Sequence, residues 1–182
     1  LEDQVDFVRS IAKHPNYLFA AFIHLQLVEI SMKNGDWCRV SDIDKPSLIE
    51  TLAAPDTWLE KLDLSGNNLT DYDAAIFANA LRTNNTLKEL VLDSNQFTES
   101  GGRLFGNALR ANQTLEILSV DSLIAGSRAM YNALFDRSSL NSASDSNHTC
   151  YVPLQSFTDL NERDDATENR HRKIYNILAH RN

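Results

Sequence analysis

Thiols are scarce in this chain. Cys38 and Cys150 are the two cysteines among 182 residues, far apart and without a metal-ligand spacing. That count argues against a disulfide framework and points to a reduced, intracellular, cytoplasmic protein. Long apolar runs are missing too. The richest stretch, Tyr17 to Ile30, is too short to span a bilayer and contains His24, Gln26 and Glu29, so no membrane span is expected. Positive charge is in deficit, with 17 Lys and Arg against 25 Asp and Glu, a net charge of -8 and a pI near 5.0. Phosphate-backbone binding needs the opposite balance, so nucleic acid is not an expected partner. The acidic start, Leu1-Glu2-Asp3-Gln4, has no basic leader segment, and without an initiating Met the chain reads as part of a longer protein.

Catalytic and metal-binding constellations are equally thin. His14, His24, His148, His171 and His180 show no convincing ligand spacing with one another or with cysteine, and His148-Thr149-Cys150 stands alone. Gly101-Gly102-Arg103-Leu104-Phe105-Gly106 lacks both the Gly-Lys-Ser/Thr ending of a phosphate loop and the dinucleotide spacing. No Gly-x-Ser-x-Gly elbow is present, and the many carboxylates read as solvated surface. The expectation is a protein that is not an enzyme and carries no cofactor or metal. Asn68, Asn84, Asn112 and Asn147 each open an Asn-x-Thr sequence. Turn-forming roles explain these better than glycosylation does, because nothing else indicates secretion.

What the chain does have is a repeat. Leu59-Glu60-Lys61-Leu62-Asp63-Leu64-Ser65-Gly66-Asn67-Asn68-Leu69 aligns without gaps on Leu87 to Phe97, a shift of 28 residues. The following segments match as well, Ile76 to Arg82 on Leu104 to Arg110, and both copies end in Asn-x-Thr-Leu at Asn84 and Asn112. A third copy opens with Leu115, Leu118 and Val120, then departs. Leu123 stands where Asn is expected, and the helix Ala129 to Leu134 arrives three residues early. Alternation along Leu62-Asp63-Leu64 predicts a short strand with its leucines on one face. Asn67 and Asn95 follow as turn residues, and Gly101 supplies a permissive backbone where the helix begins. The helices then bury Phe77 and Leu81, or Phe105 and Leu109, at i,i+4 spacing. A single unit cannot cover its own apolar face, so copies must stack.

The LxxLxLxxNxL pattern followed by a helix resembles the leucine-rich-repeat family. The 28-residue period and the Asn-Ala-Leu helix look like its ribonuclease-inhibitor-like subclass. The resemblance covers Trp58 to Leu134 and implies an α/β solenoid: a short curved parallel sheet, helices on the convex side and a C-terminal capping helix. It implies a protein-binding or scaffolding module, possibly one subunit of an assembly, with another protein as partner. Regulation of a GTPase or other enzyme is the alternative, for which Arg103 is the nearest candidate for a projecting arginine. An actin-capping role like tropomodulin's finds no match here to that family's N-terminal binding segments. Stacked in register, the outward strand residues form three rows: Lys61, Glu89 and Ile117; Asp63, Val91 and Ser119; Ser65, Asp93 and Asp121. These nine are the candidate protein-binding residues, with Val91 and Ile117 as apolar neighbours beside acids.

Outside the clear repeats, residues 1–57 read as degenerate repeats or a helical cap. Phe7 and Ile11 match Phe77 and Leu81 at a shift of 70, and Leu48 to Leu52 reads as a helix. Leu25-x-x-Val28-x-Ile30 reads as a strand laid 34 residues before Leu59, with an insertion around Asp36 to Pro46. Residues 58–139 hold the repeats, and 140–182 a final strand, a loop and the capping helix. Ser138 to His148 reads as loop, and Thr149 to Val152 as a last strand stopped by Pro153. Asp165 to Glu168 has capping-box spacing before an amphipathic helix with Ile174, Tyr175 and Leu178. Its basic run, Arg170-His171-Arg172-Lys173, reads as a solvated face.

Overall fold

Three-residue strands alternate with helices in the computed structural model, which describes residues 29–31, 33, 49, 57–121, 128–152 and 166–179. Strands β1 (Glu29–Ser31), β2 (Lys61–Asp63), β3 (Glu89–Val91) and β4 (Ile117–Ser119) form one parallel sheet in sequence order. Helices α1 (Asp71–Leu81) and α2 (Glu99–Leu109) follow β2 and β3, and α3 (Arg128–Leu134) follows β4. Leu62, Leu90 and Leu118 pair across the sheet and share one core with Phe77, Phe105 and Met130 from the helices. Phe97 meets Phe105 edge to face, with ring centroids 5.6 Å apart.

Buried asparagines tie the repeats together. Asn84 Oδ1 accepts from the Thr86 and Leu87 amides at 3.2 and 2.8 Å, closing its own turn. Asn112 closes the equivalent turn on Thr114 and Leu115, and its Nδ2 reaches back to Leu81 O (2.7 Å) and Asn84 O (3.0 Å). Asn147 repeats the pattern, bonding Thr149 and Cys150 forward and Leu109 O and Asn112 O backward. The Asn-x-Thr sequences at 84, 112 and 147 are therefore ladder positions with buried side chains. Asn95 does the same on the strand side, bridging Leu64 O and Leu92 O with Nδ2 and accepting from the Asn67 and Leu69 amides.

Several details differ from the sequence expectations. Ile30 pairs with Leu62, whereas the 34-residue alignment had placed it on Leu64. A two-residue slip leaves every side chain on the same face of a strand, so the apolar pattern could not distinguish the two registers. Gly101 lies inside α2, and what matters there is its missing side chain: a Cβ would stand 2.6 Å from Asp71 Oδ1. That carboxylate accepts from Thr98 N (2.8 Å) and Gly101 N (3.1 Å), tying the start of α1 to the start of α2. The expected loop at 138–148 contains helix α4 (Leu140–Ser144), capped by Ser139 Oγ accepting from Ser142 N and anchored by buried Ala143. The expected last strand contracts to one parallel bridge between Ile117 and Tyr151. Asn147 lies 35 residues after Asn112, against 28 between Asn84 and Asn112, and α4 occupies the surplus.

The capping helix α5 (Ala166–Ala179) is present, but another face packs inward. Asn169, Lys173 and Ile177 are buried, whereas Tyr175 and Leu178 are 70% and 47% exposed. Lys173, counted in the solvated basic run, instead donates to Leu134 O and Asn147 O. Ile49, in the expected 48–52 helix, is helical and buried. The Phe7–Ile11 segment, the 36–46 insertion, Cys38, His14, His24, Leu123, Pro153, Asp165, His180 and Arg181 lie outside the described residues.

Asn112→Leu strips donors from two buried carbonyls and an acceptor from two amides. It is expected to cost about 2–4 kcal/mol, read as a lower midpoint in urea unfolding. Gly66 and Ser94 occupy the same turn position with φ of 69° and 58°, a region that penalises side chains. Ser94→Gly is expected to raise stability by about 0.5–1 kcal/mol in the same assay.

Candidate functional site

The sheet face away from the helices carries the residues that alternation turns outward. Register aligns Glu29, Lys61, Glu89 and Ile117 in one row and Ser31, Asp63, Val91 and Ser119 in the next. The nine residues expected on this surface do occupy one face; Lys61 is exposed and the other eight are half-buried. Beyond the strand ends, Gly66 N donates to Asp93 O at 2.9 Å and Ser94 N to Asp121 Oδ1 at 3.0 Å, which continues the alignment through Ser65, Asp93 and Asp121.

Charge divides this face. Toward β1 and β2 the groups neutralise one another, with Lys33 Nζ 2.6 Å from Asp63 Oδ2 and Lys61 Nζ 3.5 Å from Glu89 Oε2. Asp63 also accepts from Ser65 N and Ser65 Oγ at 3.1 and 2.6 Å. Burial opposes its ionisation, but the bonds from Lys33 and Ser65 outweigh that and hold its carboxyl below the usual carboxylate range. Toward β3 and β4 the face turns apolar, with Val91 and Ile117 on a diagonal and Tyr151 bridged beside Ile117. Asp93 and Asp121 border this strip. Ser119 Oγ donates to Asp93 at 2.5 Å, and a carboxylate retains further acceptor capacity after one or two such bonds.

Glu29, Ser31, Lys33 and Tyr151 extend the surface beyond the nine residues expected. Tyr151 was recoverable from Asn147-x-Thr149-Cys150, a copy of Asn-x-Thr-Leu with Cys as the apolar member. Glu29 and Ser31 needed the register that the apolar pattern leaves open. The remaining candidates do not converge on chemistry. Arg103 sits on α2 and donates to Ser100 Oγ at 3.1 Å, so it does not project from a strand-to-helix loop. Cys150 is buried and its thiol is pushed up to about 12 by desolvation, which leaves it unreactive at neutral pH. Among the described residues, no three His, Cys, Asp or Glu side chains gather as a metal site, and no helix is long and apolar enough to cross a membrane.

Comparison with known proteins agrees with this geometry. A family model described as Leucine Rich repeat matches residues 56–74 and 83–106. No curated protein sequence matches the chain. Among solved structures, the leiomodin-1 actin-binding site 2 aligns over 97% of this chain and 92% of its own, at 18% identity and a TM-score of 0.57. The tropomodulin C-terminal domain of Caenorhabditis elegans aligns over 92% of this chain and 98% of its own, at 18% identity and a TM-score of 0.59. The chain is thus an α/β leucine-rich-repeat solenoid, with four parallel strands among the described residues and helices on the opposite side of the core.

The Asp63 contacts set an acid dependence. A carboxylate with a depressed folded value contributes stability above its unfolded value, near 3.8, and loses it as pH falls through the folded value. Asp63→Asn is therefore expected to be less stable than the parent in urea at neutral pH, with the gap closing as the pH falls below the unfolded carboxylate value.

Proposed function

We propose that the chain is a non-catalytic protein-binding module of the ribonuclease-inhibitor-like subclass, acting in the cytoplasm as one component of a larger assembly. Its binding surface is the outward face of the sheet. The observation that carries this reading is the Val91, Ile117 and Tyr151 strip, half-buried, with no helix packed over it among the described residues, and bordered by Asp93 and Asp121. Partly exposed apolar groups ringed by polar ones suit a protein contact, where the apolar centre excludes water and the charged rim selects the partner. The acids at the border favour a surface that presents an apolar side chain flanked by lysine or arginine. The ion-paired flank at Lys33, Asp63, Lys61 and Glu89 has less charge left to offer and contributes shape. The period of 28 residues supports the subclass assignment.

The fold is shared with an actin-binding site of leiomodin-1. Filamentous actin is therefore the first partner to test by co-sedimentation, alongside proteins recovered by affinity purification and mass spectrometry. Val91→Arg and Ile117→Arg place a charge on the strip without entering the core. Each is expected to weaken association with the recovered partner by about tenfold or more, the scale of a central contact, with an unchanged thermal melt. Equal recovery of the partner by parent and variants would overturn the assignment of this face.

A further inference from the structure

The asparagine ladder does not end on an asparagine. Asn112 donates to Leu81 O and Asn84 O, and Asn147 to Leu109 O and Asn112 O. The next pair of acceptors, Leu134 O and Asn147 O, is taken by Lys173 Nζ from α5, the second at 2.8 Å. A lysine thus stands where a further repeat would place its amide. The substitution matters chemically. A carboxamide is neutral and has two N–H groups for two carbonyls, whereas an ammonium has three and carries a charge. Lys173 is fully buried, and among the described residues no carboxylate pairs with it.

We propose that α5 is a pH-responsive latch over the C-terminal end of the solenoid, pinned by Lys173, with His148 as a second sensor, and that acidification releases it. The apolar hold on α5 is small: Ile177, against Phe135, Ala143 and Leu140, is its buried apolar side chain among those described. The other inward contacts are polar. Asn169 Nδ2 donates to His148 O at 3.1 Å, and Arg170 donates to Ser144 Oγ. His148 lies in the same interface, its Nε2 3.1 Å from Ser144 O and its Nδ1 buried without a hydrogen-bond partner among the described residues. Protonating that ring would place its charge in a buried interface that already holds Lys173 and Arg170.

The groups facing Lys173 are Arg172 on its own helix and Cys150 and His148 on the segment after α4; Arg170 also faces His148. On the neighbouring elements, Asp136 is engaged with Ser138 and Arg110 and does not compensate Lys173. Burial pushes Lys173 down to about 7, with Arg172 adding to the effect and Cys150 opposing it. Burial, then Lys173, lowers His148 to about 4. The docked helix therefore binds fewer protons than the released one. Falling pH favours release through Lys173 between 10.5 and about 7, and through His148 between 6.5 and about 4.

Amide hydrogen exchange across α5, corrected for intrinsic rate and referenced to α1 and α2, tests this on the whole chain. From pH 9 to pH 5, protection of α5 is expected to fall by about tenfold or more while α1 and α2 hold. Lys173→Met should flatten the dependence above neutrality and His148→Gln the dependence below it. Protection of α5 that tracks α1 and α2 at every pH would overturn the latch, as would an unchanged slope in the Met variant. If Lys173→Met leaves α5 unprotected throughout, the His148→Gln variant decides: a flattened acid limb supports the proposal, and the parent's limb overturns it.

Discussion

The stacking of the repeats depends on side-chain amides that reach backward. A helix C-terminus leaves carbonyls that its own backbone cannot satisfy, and the last turns of α1 and α2 are buried against the next repeat, where water cannot serve them. Asn112 and Asn147 answer this with one side chain apiece, closing their own turn with Oδ1 and the preceding helix end with Nδ2. Because the same residue serves both, the turn cannot form correctly without setting the stacking distance. The parallel register of the strands and the alignment of the outward rows follow from that coupling.

The ladder also explains why so small a sheet persists. Strands of three residues offer few backbone bonds, and a sheet of that length has little independent stability. Here the strands are secured from both ends, by Asn95 bridging Leu64 O and Leu92 O after the strand and by Asn84 and Asn112 before it. Leu62, Leu90 and Leu118 then bury between these fixed points. The outward residues are not needed to fill the core, which is why their chemistry can vary from the Lys61 and Glu89 pair to Ile117 within one row.

Much of this was legible in the residues and some was not, for identifiable reasons. The 28-residue shift, the inward leucines, the i,i+4 helix pairs and the outward rows all express a repeating pattern that alignment detects. The place of Ile30 was not, because period-two alternation is blind to a slip of two. The role of Gly101 was hidden because its constraint comes from Asp71, thirty residues earlier. Lys173 looks solvated in the sequence because it sits in a run of four basic side chains, and helix periodicity alone does not say which of the four turns inward. Ser139 and Ala143 formed a helix in a segment whose serines and asparagines signal loop, since a capping hydroxyl and one buried methyl suffice for so short a turn.

The ladder has a direction. The amides of Asn95, Asn112 and Asn147 donate toward the N-terminus, so carbonyls wait for a partner that lies later in the chain. A polypeptide emerging from the ribosome can therefore lock each repeat as the next Asn-x-Thr sequence appears, in the order of synthesis. The next two carbonyls, on Leu134 and Asn147, wait for residue 173, 26 residues after Asn147. The unit that carries those carbonyls is thus closed only after α5 has been made.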